Sequence, residues 1–522
     1  MTTISEMVSR NARMYPDETA LIELLPSKNL RKEITWAELD RRIDTIAFAL
    51  QQKGIQKGDR VLHWMRNSIN WLEAYFGIMR TGAWVAPLNF RFTADDLAYC
   101  TGISNPKAII FDEEFSQAVE ALRQGISSIK DYIVVGGKPA DKPYEDFEVM
   151  IAHAPKSGVL PEFNDRDDCG LYFTSGTTGQ PKPILLTHKN MECAAITEWA
   201  HHQQHHDDNF ILIPPLYHTG AKMHWFGSLM VGGKAVILRE VNPKLILETV
   251  SKEKGTIVWL LVPWAYDILA AFESGELKQS DYKLEQWRLM HIGAQPVPPS
   301  LVKRWKQYFP AMQYDTNYGL SESSGPGCVH LGVENIHKVG AIGKAGFNWE
   351  ARIVDEHGVD VPKGSVGELI VRGGAVMKEY YGNPAKTAEA LRGGWLYTGD
   401  MARFDEDKFI FLVDRKKDVI ISGGENVYPV EIEDFLHAHP KVKDVAVIGF
   451  PTARLVEVVG AIIDPKPGVT LTEQEVLEYC DQHLPRYKRP RVIIFDTVPR
   501  NPTGKIEKPK LREKYLGHST VL

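Results

Sequence analysis

The amino-acid sequence predicts an α/β protein: a large N-terminal domain of helix-covered β-sheets that ends in a β-barrel-like part, then a small α+β C-terminal domain. Three observations carry that expectation. Short β-rich apolar runs alternate with helical patterns over most of the chain. Near Ile342 the texture changes to closely spaced Gly, Pro and Asp between short strands. Past Lys416 a separate mixture of helix and strand signals begins.

The alternating runs include KAIIFD (Lys107–Asp112), DYIVVGG (Asp131–Gly137), NFILIPPL (Asn209–Leu216) and KAVILREV (Lys234–Val241). The longest apolar run, TIVWLLVPWA (Thr256–Ala265), is too short to span a bilayer and reads as a buried strand. From Ile342 to Gly373 the pattern reads as antiparallel hairpins closing the large unit. In the second unit Pro429 opens the amphipathic pattern PVEIEDFLHAHP, where a missing N–H costs least. DVAVIGF (Asp444–Phe450) reads as a strand, Thr472 and Glu475 as a capping box before LEYCDQHL, and RVIIFD (Arg491–Asp496) as a last strand. The joint falls in DRKKD (Asp414–Asp418), which divides the chain into residues 1–415 and 416–522.

Bulk properties narrow the function. A chain of 522 residues with 43% apolar and 25% charged residues builds several globular units. A net charge of −6 with scattered Lys and Arg leaves no footprint for nucleic acid or a membrane surface. Five cysteines, an odd number without a CxxC, fit reduced thiols. The opening MTTISEMVSRNARMYPDE lacks the basic and apolar regions of a signal peptide, and STVL is not a peroxisomal SKL. A cytoplasmic protein without a membrane span is expected, as a monomer or a homodimer.

The strongest chemical signal is TSGTTGQPK (Thr174–Lys182), after the apolar stretch LYF. Glycines let backbone N–H groups converge on an anion, the hydroxyls of Thr174, Ser175, Thr177 and Thr178 donate further bonds, and Lys182 supplies charge. Gly176 and Gly179 give the loop its freedom, but GxxxxGK[ST] is not satisfied, so this is no Walker A loop. The composition alone fits a surface turn equally well. HHQQHHDD (His201–Asp208) could place histidines on one helical face, but the sequence offers no distant Cys/His set to complete a metal site.

In its full string the loop resembles the adenylate-forming superfamily of acyl-CoA synthetases, luciferases and peptide-synthetase adenylation domains. Further motifs follow in that family's order, from GIQKGDRV (Gly54–Val61) to NPTGKI (Asn501–Ile506), so the resemblance covers nearly the whole chain. PPLYHTG (Pro214–Gly220) looks like the aromatic–His motif, which implies His218 beside the acyl carboxylate. IGAQP (Ile292–Pro296) is similar to the loop beside adenine and the acyl group, which implies Gly293, Ala294 and Gln295 there. YGLSE (Tyr318–Glu322) implies Tyr318 stacked on adenine, Gly319 and Ser321 around the nucleotide, and Glu322 as a Mg²⁺ ligand. GWLYTGD (Gly394–Asp400) and DRKKDVIISGGENVYPVEIE (Asp414–Glu433) imply Asp400 and Arg415 on the ribose, Lys417 as a hinge, and Gly423, Gly424 and Glu425 along CoA. NPTGKI implies Lys505 bridging the acyl carboxylate and the α-phosphate. Two positions depart from the family: Pro183 stands where glycine usually follows the cradle lysine, and Ser321 replaces threonine.

The resemblance implies an AMP-forming carboxylic acid–CoA ligase whose substrates are ATP, CoA and a small carboxylate, with a mobile C-terminal domain swinging between two half-reactions. Met223, Trp225 and Trp264 are candidate acyl contacts together with His218, Gly293 and Gly319, and their bulk suggests a medium-sized aromatic or alicyclic acid. Three alternatives stand beside this: transfer of the adenylate to another acceptor, a medium-chain fatty acyl-CoA synthetase, or an inactive nucleotide-binding sensor. The presence of Lys505, Glu322 and Asp400 speaks against the last.

Overall fold

The computed structural model describes residues 3–137, 142–174, 181–293, 297–329, 337–422, 425–452, 454–500 and 505–516. Two large sheets form the body. One has seven strands in the order Gln313–Asp315, Leu289–Gly293, Ile257–Leu261, Asn209–Leu212, Lys234–Leu238, Thr19–Leu25, Leu30–Thr35. All neighbours in it are parallel except the last hairpin. The other has eight strands and runs from Glu379–Tyr380 through Lys182–Thr187, Asp168–Thr174, Trp84–Pro87 and Arg60–Trp64 to Ala108–Asp112, Asp131–Val135 and Glu145–Asp146.

The two-residue period of a strand explains how these sheets stack. In the first sheet Phe210, Ile237, Ile257 and Leu289 join a central buried cluster, while their neighbours Ile211, Val236, Val258 and Met290 join a second cluster on the opposite face. The second sheet divides likewise: Val61, Ile110 and Ile184 face the central cluster, and Leu62, Ile109 and Leu185 face away. The central cluster also takes the buried sides of helices Trp36–Gln52, Ile69–Arg80, His188–His202 and Thr219–Met230. These helices therefore pack on the sheets from the central side: Ile69–Arg80 and Thr219–Met230 are buried almost all round, whereas Trp36–Gln52 keeps an exposed charged face.

The hairpin-rich segment forms an antiparallel sheet of Trp349–Val354, Gly367–Gly373, Trp395–Phe404, Leu391–Arg392 and Ile410–Arg415. Beyond it a five-stranded sheet is built from Ile420–Ser422, Glu425–Val427, Val442–Thr452, Val456–Pro465 and Val492–Phe495. Helices Pro429–His437 and Glu473–His483 cover one of its faces, and Lys508–Leu516 covers the other. The apolar run at Thr256–Ala265 is strand only to Leu261. Pro263, in the first turn, starts helix Val262–Glu273. Among the described residues no helix is long and apolar enough to cross a membrane.

The capping box at Glu473–His483 is present: Glu475 N–H donates to Thr472 Oγ1 at 3.2 Å and Thr472 N–H to Glu475 Oε2 at 2.9 Å. Thr472→Ala should cost this helix about 1 kcal/mol. Amide hydrogen exchange in Glu473–His483 is expected to speed up roughly fivefold, with strands of the large sheets unchanged. Unaltered exchange in that helix would count against the cap.

Candidate active site

The residues singled out by sequence gather beyond the carboxyl ends of the parallel strands, where open α/β sheets hold ligands. Thr174 ends the strand Asp168–Thr174 and lies opposite Lys182 in antiparallel register, so the two residues at either end of the TSGTTGQPK string stand side by side. Ser175, Gly176, Thr177, Thr178 and Gly179 lie outside the described residues. Pro183 sits within the returning strand opposite Phe173, and its carbonyl accepts a bond from Tyr381 N–H at 2.9 Å. The Lys182 ammonium lies over the Tyr380 ring at 5.7 Å. Burial lowers its pKa, and the charge of Glu322 pulls the other way.

Asp400 is the best-fixed carboxylate of the site. It is 5% exposed and pairs in register with Arg415 across adjacent strands. Arg415 Nε lies 2.6 Å from Asp400 Oδ1, and the Tyr318 hydroxyl donates to Oδ2 at 2.5 Å. Each carboxylate oxygen keeps a further lone pair for a ligand hydroxyl. Glu322, four residues after Tyr318, accepts from the Tyr380 hydroxyl at 2.7 Å, and its backbone carbonyl accepts from Met377 N–H at 2.7 Å. Ser321 Oγ accepts from Thr219 Oγ1 at 3.2 Å, which ties the tyrosine motif to the histidine motif. Thr219 lies within the PPLYHTG motif already singled out, whereas Tyr380 carries no sequence signal of its own.

His218 caps the N-terminus of helix Thr219–Met230, and its Nδ1 is buried without a hydrogen-bond partner among the described residues. Burial drives its pKa down to about 3, and the charges of Lys505, Lys222 and His224 add to this, so the imidazole is neutral. The same coupling locates Lys505. Its ammonium is depressed first by burial and then by Arg415, and is held up by Asp400 and Glu322. A lysine of the C-terminal unit thus reaches the groups contributed by three motifs of the body.

Around His218 the aromatic residues divide. A Cβ placed on Gly220 would meet His218 Nδ1 and the Trp259 ring, each at 3.6 Å, so Trp259 lies against the histidine motif. Met223 packs where a Cβ on Gly325 would sit, 3.6 Å from Met223 Cβ. Trp225 is fully buried in the central cluster beside Phe226. Trp264 packs against the cluster on the far face of the first sheet. Gly293 ends the strand Leu289–Gly293, and a Cβ there would lie 3.9 Å from the Asn317 carbonyl. Gly319 is exposed in the strand Tyr318–Leu320; Ala294 and Gln295 lie outside the described residues.

The histidine-rich tract is not uniformly a polar surface segment. His202 and Asp208 are buried, and Asp208 binds Arg288 at 2.6 Å. His202 lies between Glu198 and Asp315, which hold its pKa up at about 10 against the opposing effect of burial. His224 and Asn317 extend this cluster toward Trp259, on which His224 stacks with ring centroids 4.9 Å apart.

Lys417 lies in the turn between strands Ile410–Arg415 and Ile420–Ser422, where Asp418 N–H donates to Arg415 O at 2.8 Å. The body and the C-terminal unit are joined nearby through Asp414 Oδ2, which accepts from Val430 N–H at 2.9 Å, while Arg512 and Asp418 pair at 2.8 Å within the C-terminal unit. Glu425 is exposed on the strand Glu425–Val427, and Gly423 and Gly424 lie outside the described residues.

Comparison with known proteins agrees with this arrangement over its whole length. The family model described as AMP-binding enzyme matches residues 8–381, and that of the AMP-binding enzyme C-terminal domain matches residues 431–505. The chain is 33% identical to a feruloyl-CoA synthase of Amycolatopsis, over 97% of this chain and 98% of the relative. It is 31% identical to the long-chain-fatty-acid–CoA ligase FadD13 of Mycobacterium tuberculosis, over 99% of both. Among solved structures it resembles the anthranilate CoA ligase AuaEII in complex with anthranoyl-AMP, with a TM-score of 0.89, 26% identity and coverage of 98% and 97%. It is similar too to ATP-bound MatB from Rhodopseudomonas palustris, with a TM-score of 0.88, 28% identity and coverage of 98% and 99%. With both family models matched in order and relatives of this family aligned over nearly the whole chain, the chain belongs to the AMP-binding enzyme family, as an AMP-forming acyl-CoA synthetase.

Proposed function

We propose that this ligase activates a medium-sized aromatic or alicyclic carboxylate, with Lys505 and His218 on either side of the reacting carboxyl group. The observation that carries the reading is the convergence of the motifs: Asp400 bonded to both Arg415 and Tyr318, and Ser321 bonded to Thr219 beside His218, with the charge of Lys505 felt at His218. ATP and CoA fit as the family's co-substrates. In the first half-reaction a carboxylate oxygen attacks the α-phosphate, the bond to the β-phosphate breaks, and acyl-AMP and pyrophosphate form. Lys505 neutralises charge on the carboxylate and the pentavalent phosphorus, Lys182 and Thr174 flank the phosphates, and Asp400 with Arg415 anchors the ribose. A neutral His218 adds no competing cation beside Lys505 and can donate or accept a hydrogen bond at the carboxylate.

Glu322 suits Mg²⁺: it is a hard oxygen donor, half-buried, coupled to Lys182, Arg415 and Lys505, and its Oε1 is oriented by Tyr380. Bound there, the ion would spread phosphate charge. In the second half-reaction the C-terminal unit turns about Lys417, Lys505 withdraws, and the segment with Gly423, Gly424 and Glu425 lines the approach of CoA. Its thiolate attacks the acyl carbonyl and AMP departs with the bonding pair. The division at residues 415 and 416 belongs to this proposal.

The substrate class is supported by the tryptophan beside His218, whose flat face suits a ring, and by relatives described as acting on feruloyl and anthranoyl groups. Across acetate, hexanoate, benzoate, cyclohexane carboxylate and palmitate, kcat/KM should peak at the two ring acids. A tenfold preference for acetate, hexanoate or palmitate, about 1.4 kcal/mol of transition-state binding, would overturn the substrate assignment.

Two substitutions test the roles. Lys505→Ala should slow acyl-AMP formation roughly a hundredfold or more while leaving thioester formation from synthetic acyl-AMP nearly intact. Equal loss of both half-reactions would remove Lys505 from the adenylation step. Asp400→Ala should weaken ATP binding by about 1–3 kcal/mol in isothermal titration, because Arg415 and Tyr318 lose their partner together with the ribose. Tyr318→Phe, which frees Asp400 Oδ2, should weaken it less; unchanged ATP affinity in Asp400→Ala would exclude Asp400 as the ribose ligand.

A further inference from the structure

Behind Trp259 lies a buried polar cluster that adenylation and thioester formation do not use. Helix His188–His202 contributes Glu198 and His202, strand Leu289–Gly293 contributes His291, and strand Gln313–Asp315 contributes Asp315. One ligand atom from each of Glu198, His202 and His291 lies within 4.8 Å of the other two, and all three residues are buried. Three details point to a common target. His202 Nε2 faces Asp315 Oδ2 at 2.5 Å, the outer carboxylate that fixes a ligating imidazole and leaves its other nitrogen available. His202 Nδ1 and Glu198 Oε2 are 2.7 Å apart yet not aligned as a hydrogen bond, as for two donors aimed at one point and not at each other. Finally, His291 is 1% exposed and neither of its nitrogens has a hydrogen-bond partner among the described residues.

A protonated His202 between two carboxylates would balance most of the charge, but it leaves His291 unexplained. Its ring stands edge-on to His202 with centroids 4.3 Å apart, and a buried imidazole with two unsatisfied nitrogens is costly. From this convergence we infer that Glu198 Oε2, His202 Nδ1 and a ring nitrogen of His291 form a binding site for a divalent transition metal, Zn²⁺ by its nitrogen-rich, carboxylate-completed donor set. Tetrahedral bonds of about 2.1 Å hold ligand atoms about 3.4 Å apart, so Glu198 Oε2 and His202 Nδ1 would open from their 2.7 Å approach and His291 would rotate to complete the set, with water in the fourth position. Metal binding displaces the proton from His202 Nδ1 to solvent. Glu198 Oε1, which accepts from Asn317 Nδ2 at 3.2 Å and lies 3.4 Å from His224 Nε2, links the site to the residues under Trp259. The ion would clamp helix His188–His202 to the first sheet beneath the acyl side, and it is separate from any Mg²⁺ at Glu322.

The test uses the full-length chain, purified without an affinity tag from zinc-supplemented culture, with metal content read by inductively coupled plasma mass spectrometry. Near one zinc per chain is expected for the wild type and at least tenfold less for both His291→Leu and Glu198→Gln, although each variant keeps the exposed His205. After chelation the wild type should melt roughly 5 °C lower and His291→Leu should not shift. Equal zinc in all three proteins would assign it to surface histidines, and wild-type content as low as the variants' would make the cluster a metal-free ion network; either result overturns the site. Should the variants not fold, Co²⁺ added to the chelated wild type decides, since an intense tetrahedral visible band that Zn²⁺ abolishes is expected and its absence overturns the proposal equally.

Discussion

The site depends on a carboxylate that has been taken out of water. Asp400 is nearly inaccessible, and an ionised group there is tolerable only with well-made partners. The antiparallel register that sets Asp400 opposite Arg415 supplies one of them, and Tyr318, arriving from the loop after the first sheet, supplies the other. One pairing therefore fixes three segments relative to each other: the antiparallel sheet, the loop leaving the parallel sheet, and the strand that runs into the turn at Lys417. Arg415 is both the partner of Asp400 and the last residue before that turn. The residues proposed to hold the ribose thus also fix the strand that runs into the turn at Lys417.

The second dependence is electrostatic. Lys505 comes from the end of the chain; burial and Arg415 lower its pKa, and Asp400 and Glu322 raise it. In the proposed mechanism ATP and the carboxylate would bring further negative charge to this ammonium and loss of pyrophosphate would remove some of it, which suits a lysine that serves one half-reaction and leaves before the other. The contacts across the joint include Asp414 with Val430 N–H and the Tyr266 ring stacked on His437 with centroids 5.7 Å apart.

Much of this was legible in the sequence because the signals were local. Alternating apolar runs give strands, Pro429 and the Thr472–Glu475 pair give helix starts, and the family's ordered motifs pick out Asp400, Arg415 and Lys505. What escaped depends on pairings distant in sequence. Tyr380 reaches Glu322 only because a two-residue strand pairs at the edge of the second sheet, next to Lys182–Thr187. Trp259 and Trp264 are five apart in one apolar run, but a strand-to-helix change at Val262 sends them to opposite faces of the sheet. No periodicity across that run could have told which one would lie beside His218. The tract HHQQHHDD shows the same limit: its His202 pairs with Asp315 and stands edge-on to His291, which lies 89 positions further on, on a strand two places away from Asn209–Leu212.

That cluster bears on how the acyl side keeps its shape. Helices between two sheets are held mainly by apolar packing, which resists separation but only weakly resists sliding or rotation. Helix His188–His202 ends at His202, where Gln203 takes up a left-handed conformation (φ 49°), so its last turn has no further helix to steady it. Directional bonds from Glu198 and His202 to Asn317 and Asp315 supply what packing lacks. They connect the end of this helix to the loop that carries Tyr318, and through His224 to the ring of Trp259. One polar core thereby connects the end of this helix, the segment that carries Tyr318 and the ring of Trp259.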